Sequence, residues 1–229
     1  MGSVKTRRMP RAVREQQMLD AAVKTFGRRG YTAASMDEIA ELAGVSKPLV
    51  YLYLNSKEDL FTACIRREAA ALTAAVRSGV RAGLRADRQL WEGLRAFFAH
   101  TARNPDGWTV LHLQARTHGE PFAAEVTAMR EEIVAFVTEL IALAAREAAL
   151  PEAVGCARAG RDPHEPDLPE RDVAGLAEAL VGAAESLAAW ANVTPGVSAR
   201  QAAATLMNFA WAGLGNLMEG RSWSPPDRD

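Results

Sequence analysis

Residues 39–61 read IAELAGVSKPLVYLYLNSKEDLF, and their turn and capping signals indicate the fold. Gly44 separates two short helical patterns, at a point where a left-handed backbone would cost any other residue energy. Ser46 is expected to cap the second helix, and Pro48 lies in its first turn, where a missing N–H does no harm. Two short helices joined in this way match a helix-turn-helix, whose second helix enters the major groove of DNA by its N-terminal end.

The run LVYLYL, residues 49–54, is too apolar for an ordinary exposed helix. One interpretation makes it the core of a small helical bundle. The other divides it between core and groove, because thymine methyls accept apolar contacts and phosphates accept tyrosine hydroxyls. Val45 and Val50 can pack inwards against Ile39. The residues left to divide between core and groove are Lys47, Pro48, Leu49, Tyr51, Leu52 and Tyr53.

Helical patterns flank this stretch on both sides. Gly30 is expected to end the helix before it. Ser35 and Glu38 have the spacing of a capping box, in which the serine accepts from the amide three residues on while the glutamate reaches back. Ser56, with Asp59 at the third position, is expected to cap the helix that follows. The predicted helices are 11–29, 36–43, 47–54 and one from 57 towards 77.

The remainder of the chain also has helical periodicity and no alternating runs bounded by hairpin turns. Helices are predicted over 88–103, 108–115, 122–150, 172–192 and 198–220. The proline-rich segment 151–171 is expected to be a mobile loop, and residues 221–229 a frayed tail. The sequence therefore predicts an all-α protein. Its three-helix DNA-binding domain would cover residues 11–72, with the helix-turn-helix at about 35–54, and a larger helical domain would cover residues 73–220.

The charge of the chain is distributed unevenly. The net charge is −1, yet residues 1–30 hold eight Lys or Arg residues against two acidic ones, so this segment carries +6 and the remainder −7. A basic end on an acidic body indicates a polyanion as the partner of that end. The alternative is a merely solvated basic arm over residues 1–10.

The sequence favours a cytoplasmic protein that is not an enzyme. It has no apolar run of 18 residues and no signal peptide. Cys64 and Cys156 form no disulfide framework. No metal spacing, phosphate loop or nucleophile motif is present, so neither a cofactor nor a metal is expected. The histidines without metal-ligand spacing are His100, His112, His118 and His164.

From about Arg11 to Leu72 the sequence resembles the N-terminal domain of TetR-family transcriptional regulators. The matching runs are FGRRGYTAASMDE, residues 26–38, and the stretch 39–61. The resemblance implies a DNA-binding domain on an all-helical ligand-binding and dimerisation domain, usually in a repressor released by a small effector. It implies DNA contacts by Thr32, Ser35, Ser46, Lys47, Pro48, Leu49, Tyr51, Tyr53 and Lys57, with Lys57 at a phosphate-contacting helix start.

The sequence departs from the family pattern at three positions. Leu52 stands between the two tyrosines, where relatives often have a polar residue or histidine. Leu54 replaces a common Phe, and Asn55 a frequent Pro or Gly. Leu54 is a conservative core change. Because Leu52 lies on the predicted DNA-facing helix, the resemblance carries no base preference over to this chain.

The larger domain is expected to hold an effector cavity, in which a few polar groups are set in an apolar wall. The alternative for each aromatic residue is ordinary core packing. A satisfied buried histidine is the alternative for His112, and solvation or an interfacial pair for Glu185. The candidate lining residues are Trp91, Phe97, Phe98, Trp108, His112, Phe136 and Glu185.

The last two helices are small-sided and apolar on more than one stripe, so they need burial on more than one side. Two copies are predicted to form a four-helix bundle across a two-fold axis, which would pair two DNA-binding domains with a palindromic operator. Internal packing is the alternative. The candidate interface residues are Leu176, Leu180, Ala184, Leu187, Leu206, Phe209, Ala210, Gly213 and Leu217.

The predicted function is a homodimeric repressor released from a palindromic DNA operator by a small, largely apolar effector. The alternative is an effector-independent DNA-binding regulator, or an activator, of the same fold.

Overall fold

The computed structural model describes residues 10–149 and 170–218. These ranges contain only helices and their connections, which confirms the predicted all-α class. The predicted basic arm except for Pro10, the proline-rich loop up to residue 169, and the tail lie outside the described residues. The elements are α1 (Arg11–Ala33), α2 (Met36–Leu42), α3 (Lys47–Leu54), α4 (Lys57–Gly79), α5 (Ala86–Arg103), α6 (Pro105–Thr109), a π-helical turn (Val110–Gln114), α7 (Ala115–Thr117), α8 (Phe122–Ala149), α9 (Glu170–Val193) and α10 (Ala199–Met218).

Two glycines set the direction of the chain around the helix-turn-helix. Gly30 has a φ of 77° and interrupts α1, where the sequence predicted a helix end, and the helix resumes as a last turn to Ala33. Gly44 has a φ of 66° and lies between α2 and α3. Both angles fall in the left-handed region that glycine adopts without a steric penalty. The predicted left-handed turn at Gly44 is thus confirmed.

The predicted capping box at the start of α2 is wrong. The Ser35 hydroxyl accepts a hydrogen bond from the N–H of Asp37 at 3.2 Å, one residue earlier than expected. The Glu38 carboxylate does not reach back to Ser35. It lies 3.3 Å from the Arg29 guanidinium instead. A charged donor forms a stronger hydrogen bond than a backbone amide, so Arg29 competes successfully for this carboxylate.

The next two helix starts differ from each other. Ser46 occupies the N-cap position of α3, but its side chain forms no capping hydrogen bond there. Its backbone carbonyl accepts from Leu49 at 2.9 Å. The Ser56 hydroxyl accepts from the N–H of Asp59 at 2.9 Å, as predicted. A serine side chain therefore stabilises the start of α4 but not the start of α3.

The helix predicted over 108–115 begins earlier. Pro105 occupies the first turn of α6, and Trp108 donates its backbone N–H to the Asn104 carbonyl at 2.9 Å. The sequence NPDG, residues 104–107, is thus mostly helical. Proline is tolerated in the first turn of a helix because its missing N–H would be unpaired there.

The described residues form two compact units. The first unit extends to Ala71 and also contains Asn104–Ala128, which the sequence had assigned to the larger domain. Its centre is an aromatic cluster whose neighbouring ring centroids lie 4.7–5.9 Å apart. The members of this cluster are Phe26, Tyr31, Phe61 and Phe122. Cys64 is buried nearby in the same unit, and burial raises the pKa of its thiol, so it acts as a small apolar side chain.

The second unit contains Leu72–Arg103 and the described residues from Met129 onwards. In it, α5 packs against both α9 and α10, and α9 packs against α10. Phe98, Val181 and Leu206 are buried in this core. By length and composition alone, Arg171–Val193 could also cross a membrane. One such helix is weak evidence for a membrane span, because core helices of soluble proteins pass the same test.

Candidate nucleic-acid interface

The side chains of α3 divide between an inner and an outer face. Val50 and Leu54 are buried, whereas Leu52 is 73% exposed and Tyr51 is 38% exposed. The run LVYLYL is thus divided between core and surface, as the second of its two interpretations requires, and the reading of DNA by its outer face stays a prediction.

Lys47 begins α3 and lies on its exposed side. Its ammonium group donates to the Asp37 carboxylate at 2.9 Å. This hydrogen bond raises the pKa of the Lys47 side chain. Because exposed ion pairs contribute little to stability, the ammonium group can exchange Asp37 for another anion at small cost.

Arg11 adds a second cation beside α3. Its guanidinium lies 5.0 Å from the centroid of the Tyr53 ring. Cation–π contacts of this kind orient a ring without fixing its hydroxyl group. The sequence did not single out Arg11, because it lies at the start of α1, 42 positions before Tyr53.

Lys57 begins α4 and contacts the segment before α2. Its ammonium group donates to the Thr32 carbonyl at 3.2 Å and lies 4.8 Å from the centroid of the Tyr31 ring. Partial burial lowers the pKa of this ammonium group. The structure thus brings Thr32 and Lys57 together beside the positive end of a helix.

All nine residues predicted to contact DNA lie at exposed or half-buried positions: Thr32, Ser35, Ser46, Lys47, Pro48, Leu49, Tyr51, Tyr53 and Lys57. Leu42, the last residue of α2, is 49% exposed, at the edge of a depression lined also by Gln17, Asp20 and Lys24 of α1.

The residues predicted to line an effector cavity are divided between the two units. Trp108 and His112 belong to the first unit, where their rings stack at 4.9 Å with an interplanar angle of 12°. Trp91, Phe97, Phe98, Phe136 and Glu185 belong to the second unit. The seven predicted residues therefore do not all line a cavity within a single unit.

Within the second unit these side chains have partners of their own. Phe97 and Phe98 are buried and pack edge to face at 5.2 Å, as expected of core residues. The Arg77 guanidinium lies 4.7 Å from the centroid of the Phe136 ring. Glu185 lies 3.6 Å from the Arg130 guanidinium, which also binds Glu178 at 2.7 Å. These contacts favour the interpretations of core packing and ion pairing.

The residues predicted at a dimer interface differ in burial. Leu180, Ala184 and Leu206 are buried within the single chain, so they form its core and have little surface to offer a partner. Phe209 of α10 is 76% exposed, and Gly213 is exposed one turn later. Leu176, Leu187 and Ala210 are half-buried, and the side chain of Leu217 lies outside the described part of the chain.

The sequence did not predict an exposed apolar surface at the end of α9. Trp190 is 51% exposed and Val193 is 80% exposed there. The periodicity of α9 places apolar residues on more than one stripe. It does not say which stripe the chain itself covers.

Comparisons with known proteins match nearly the whole chain. The family model "Bacterial regulatory proteins, tetR family" matches residues 18–64, and the model "Tetracyclin repressor-like, C-terminal domain" matches residues 86–213. The HTH-type transcriptional activator FasR of Mycolicibacterium smegmatis is 29% identical over 222 residues, which cover 96% of this chain and 92% of FasR.

Solved structures share the fold. A TetR-like transcriptional regulator from Rhodococcus sp. RHA1 aligns with a TM-score of 0.71 at 34% identity, covering 91% of this chain and 99% of that one. FadR from Bacillus subtilis, solved in complex with stearoyl-CoA, aligns with a TM-score of 0.66 at 16% identity, covering 90% of this chain and 99% of FadR. At this identity the similarity to FadR shows the fold alone.

Proposed function

We propose a specific role for this chain, which belongs to the TetR family of bacterial regulatory proteins. It is a DNA-binding transcriptional regulator rather than an enzyme. In the proposed role it is a homodimeric repressor, and a small, largely apolar effector releases it from a palindromic operator. The observation that carries the proposal is the outer face of α3. It presents Tyr51 and Leu52 to solvent and has the cations of Lys47 and Lys57 on its flanks. As a regulator of chromosomal genes, the protein would act in the cytoplasm.

The proposed docking follows from the chemistry of this face. The N-terminal end of α3 enters the major groove, where Leu52 can contact thymine methyls and Tyr51 can donate to a phosphate or a base. Lys47 leaves Asp37 for a phosphate. Lys57 and Thr32 contact the phosphate backbone at the edge of the groove, which fixes orientation without reading sequence.

A second copy of the chain is proposed to cover the apolar surface of α9 and α10. Phe209, Trp190 and Val193 are exposed on these two helices. A symmetric dimer buries the same surface of each copy, and two copies place two α3 helices on the two halves of a palindrome.

The effector is proposed to bind in the second unit and to act through α4. This helix begins at Lys57 in the first unit and ends at Gly79 in the second, so a ligand that shifts its end also shifts Lys57. Half-sites repeat at the spacing of the DNA helix, and a shift of a few ångströms can prevent both copies from docking together. Stearoyl-CoA, whose acyl chain is apolar, is a first compound to titrate, because FadR from Bacillus subtilis was solved in complex with it.

An activator of the same fold is the second candidate. The similarity to the activator FasR over 96% of the chain favours it. In vitro transcription with purified RNA polymerase distinguishes the two functions: a repressor lowers transcript yield from its own operator-bearing promoter, and an activator raises it.

The proposed function is tested by selecting duplexes from a random pool with the purified protein. A palindromic consensus bound by two copies in light scattering supports the proposal. A chain that is monomeric and enriches no duplex, even at low ionic strength, contradicts it. Loss of the selected complex on addition of an apolar effector then tests release.

Lys57→Ala should flatten the dependence of operator affinity on salt. Each lost phosphate contact lowers the slope of log affinity against log salt by about one unit. The slope is measured by fluorescence anisotropy between about 50 and 200 mM salt. Arg81→Ala, an exposed residue of the second unit, makes the same change in charge and should leave the slope unchanged. An unchanged slope in Lys57→Ala would remove Lys57 from the interface.

Tyr51→Ala should weaken operator binding about tenfold without lowering the thermal midpoint, because an exposed aromatic side chain contributes to the interface and little to the core. Val50→Ala is the matched change one position earlier on the same helix. Val50 is buried, so this variant should unfold at a lower temperature. The two properties are measured by anisotropy and circular dichroism. If Tyr51→Ala unfolds the protein, the outer face belongs to the core.

A further inference from the structure

His118 contacts a residue of the candidate interface from far along the chain. Its Nε2 atom lies 3.2 Å from the hydroxyl oxygen of Thr32, 86 positions away. Its Nδ1 atom lies 2.8 Å from the backbone carbonyl of Gln114. The imidazole ring packs edge-on against the Tyr31 ring at 5.2 Å. Each ring nitrogen therefore has a defined partner, and all four residues belong to the first unit.

These partners fix the direction of the hydrogen bonds. The Gln114 carbonyl can only accept, so Nδ1 of His118 carries a proton and donates. In a neutral imidazole Nε2 is then unprotonated and accepts, which makes the Thr32 hydroxyl the donor. The only proton of the Thr32 hydroxyl is thus directed at His118 and not at solvent.

A protonated imidazole reverses this arrangement. With protons on both nitrogens, Nε2 donates to the Thr32 oxygen. The Thr32 hydroxyl must then turn its own proton elsewhere. The Lys57 ammonium donates to the Thr32 carbonyl at 3.2 Å. Its positive charge would attract an anion to Thr32.

We propose that His118 is a positioning residue for DNA binding. In its neutral form it holds the Thr32 hydroxyl away from DNA, and in its protonated form it directs that hydroxyl to a backbone phosphate. Operator affinity therefore rises as pH falls. The inference rests on the proposed DNA-binding function and adds to it a proton-dependent contact. His118 itself touches no base.

The charges around this contact are of both signs. Lys57 is the cation beside Thr32. His118 packs against the ring of Tyr31, and burial and then the charge of Glu58 raise the pKa of the Tyr31 hydroxyl. Arg116 and Glu120 lie within two residues of His118 on its own segment. A phosphate arriving at Thr32 adds an anion, which favours the charged imidazole. Formation of the complex is therefore coupled to proton uptake, and the complex strengthens as pH falls.

The test measures operator affinity from pH 8 to 5.5 at constant ionic strength, with the duplex selected from the random pool. The wild-type protein should bind about three- to tenfold more tightly at the low end, the effect of about one neutral hydrogen bond. In His118→Gln the side-chain amide can still accept from Thr32 but does not titrate. It should match the wild type at pH 8 and lose the gain at low pH.

Two further variants make the outcome specific. Thr32→Val removes the hydroxyl and should also lose the gain, whether or not changes at position 118 disturb folding. His100→Gln changes a histidine of α5 in the second unit and should keep the wild-type pH response. Retention of the full response in both His118→Gln and Thr32→Val would overturn the inference, as would a wild-type protein that binds equally well at every pH. Failure to bind any duplex would overturn the proposed function itself.

Discussion

Gly27→Val is expected to destabilise the first unit by about 3 kcal/mol, the upper part of the range for overpacked cores. A β-carbon at Gly27 would lie 2.7 Å from the carbonyl oxygen of Asp106 and 2.9 Å from its Cα atom. Both are backbone atoms of α6, so no side-chain rotation can relieve the clash. The gain from replacing a helical glycine is at most about 1 kcal/mol and does not offset this cost.

The matched control is Gly175→Val in α9. A β-carbon there meets no atom within 4 Å, so the same substitution should be neutral or slightly stabilising. Chemical unfolding followed by circular dichroism gives both values. If Gly27→Val unfolds at the same denaturant concentration as the wild type, α1 and α6 do not approach as closely as the structure has them.

This close approach illustrates what the sequence could not predict. The helix-turn-helix was predictable because its determinants are local: Gly30 and Gly44 need positive φ angles, and Ser56 caps a helix three residues before its partner. The contact of α1 with α6 joins Arg28 to Asp106, 78 positions apart, at 3.3 Å. Periodicity indicates that α1 has a buried face but does not identify the helix that covers it.

The candidate site shows the same limit. The outer face of α3 followed from its sequence, because Val50 and Leu54 lie one turn apart and must share the inner face. The partners of the outer cations did not follow. Asp37 binds Lys47, Thr32 binds Lys57, and His118 binds Thr32. Each of these contacts depends on how separate elements pack, and a hydrogen-bonding side chain carries no periodic signal of its partner.

Competition between partners accounts for the cap that was predicted wrongly. Ser35 and Glu38 have the spacing of a capping box, but spacing alone does not exclude a better donor. Arg29 approaches Glu38 because the turn at Gly30 brings the end of α1 beside α2. A local rule failed here because a residue from another element offered a charged hydrogen bond.

Phe209→Asp is expected to convert the protein from a dimer to a monomer and to weaken operator binding about a hundredfold or more. Phe209 is the most exposed aromatic residue of α10 at 76%. If a second copy covers this surface, the substitution places an unpaired carboxylate in an apolar contact, which costs several kcal/mol. The loss of bivalent binding then removes about 10²–10⁴-fold in affinity, because each DNA-binding domain must dock alone.

Light scattering gives the oligomeric state of this variant, and anisotropy gives its operator affinity. Leu84→Asp introduces the same charge at an exposed leucine between α4 and α5 and should change neither property. The two measurements separate two claims. A Phe209→Asp protein that remains dimeric shows that α10 pairs through another surface or not at all. If the variant is monomeric yet binds the operator as tightly as the wild type, simultaneous docking of two domains contributes nothing to affinity. In that case an effector cannot release DNA by changing the separation of the two domains.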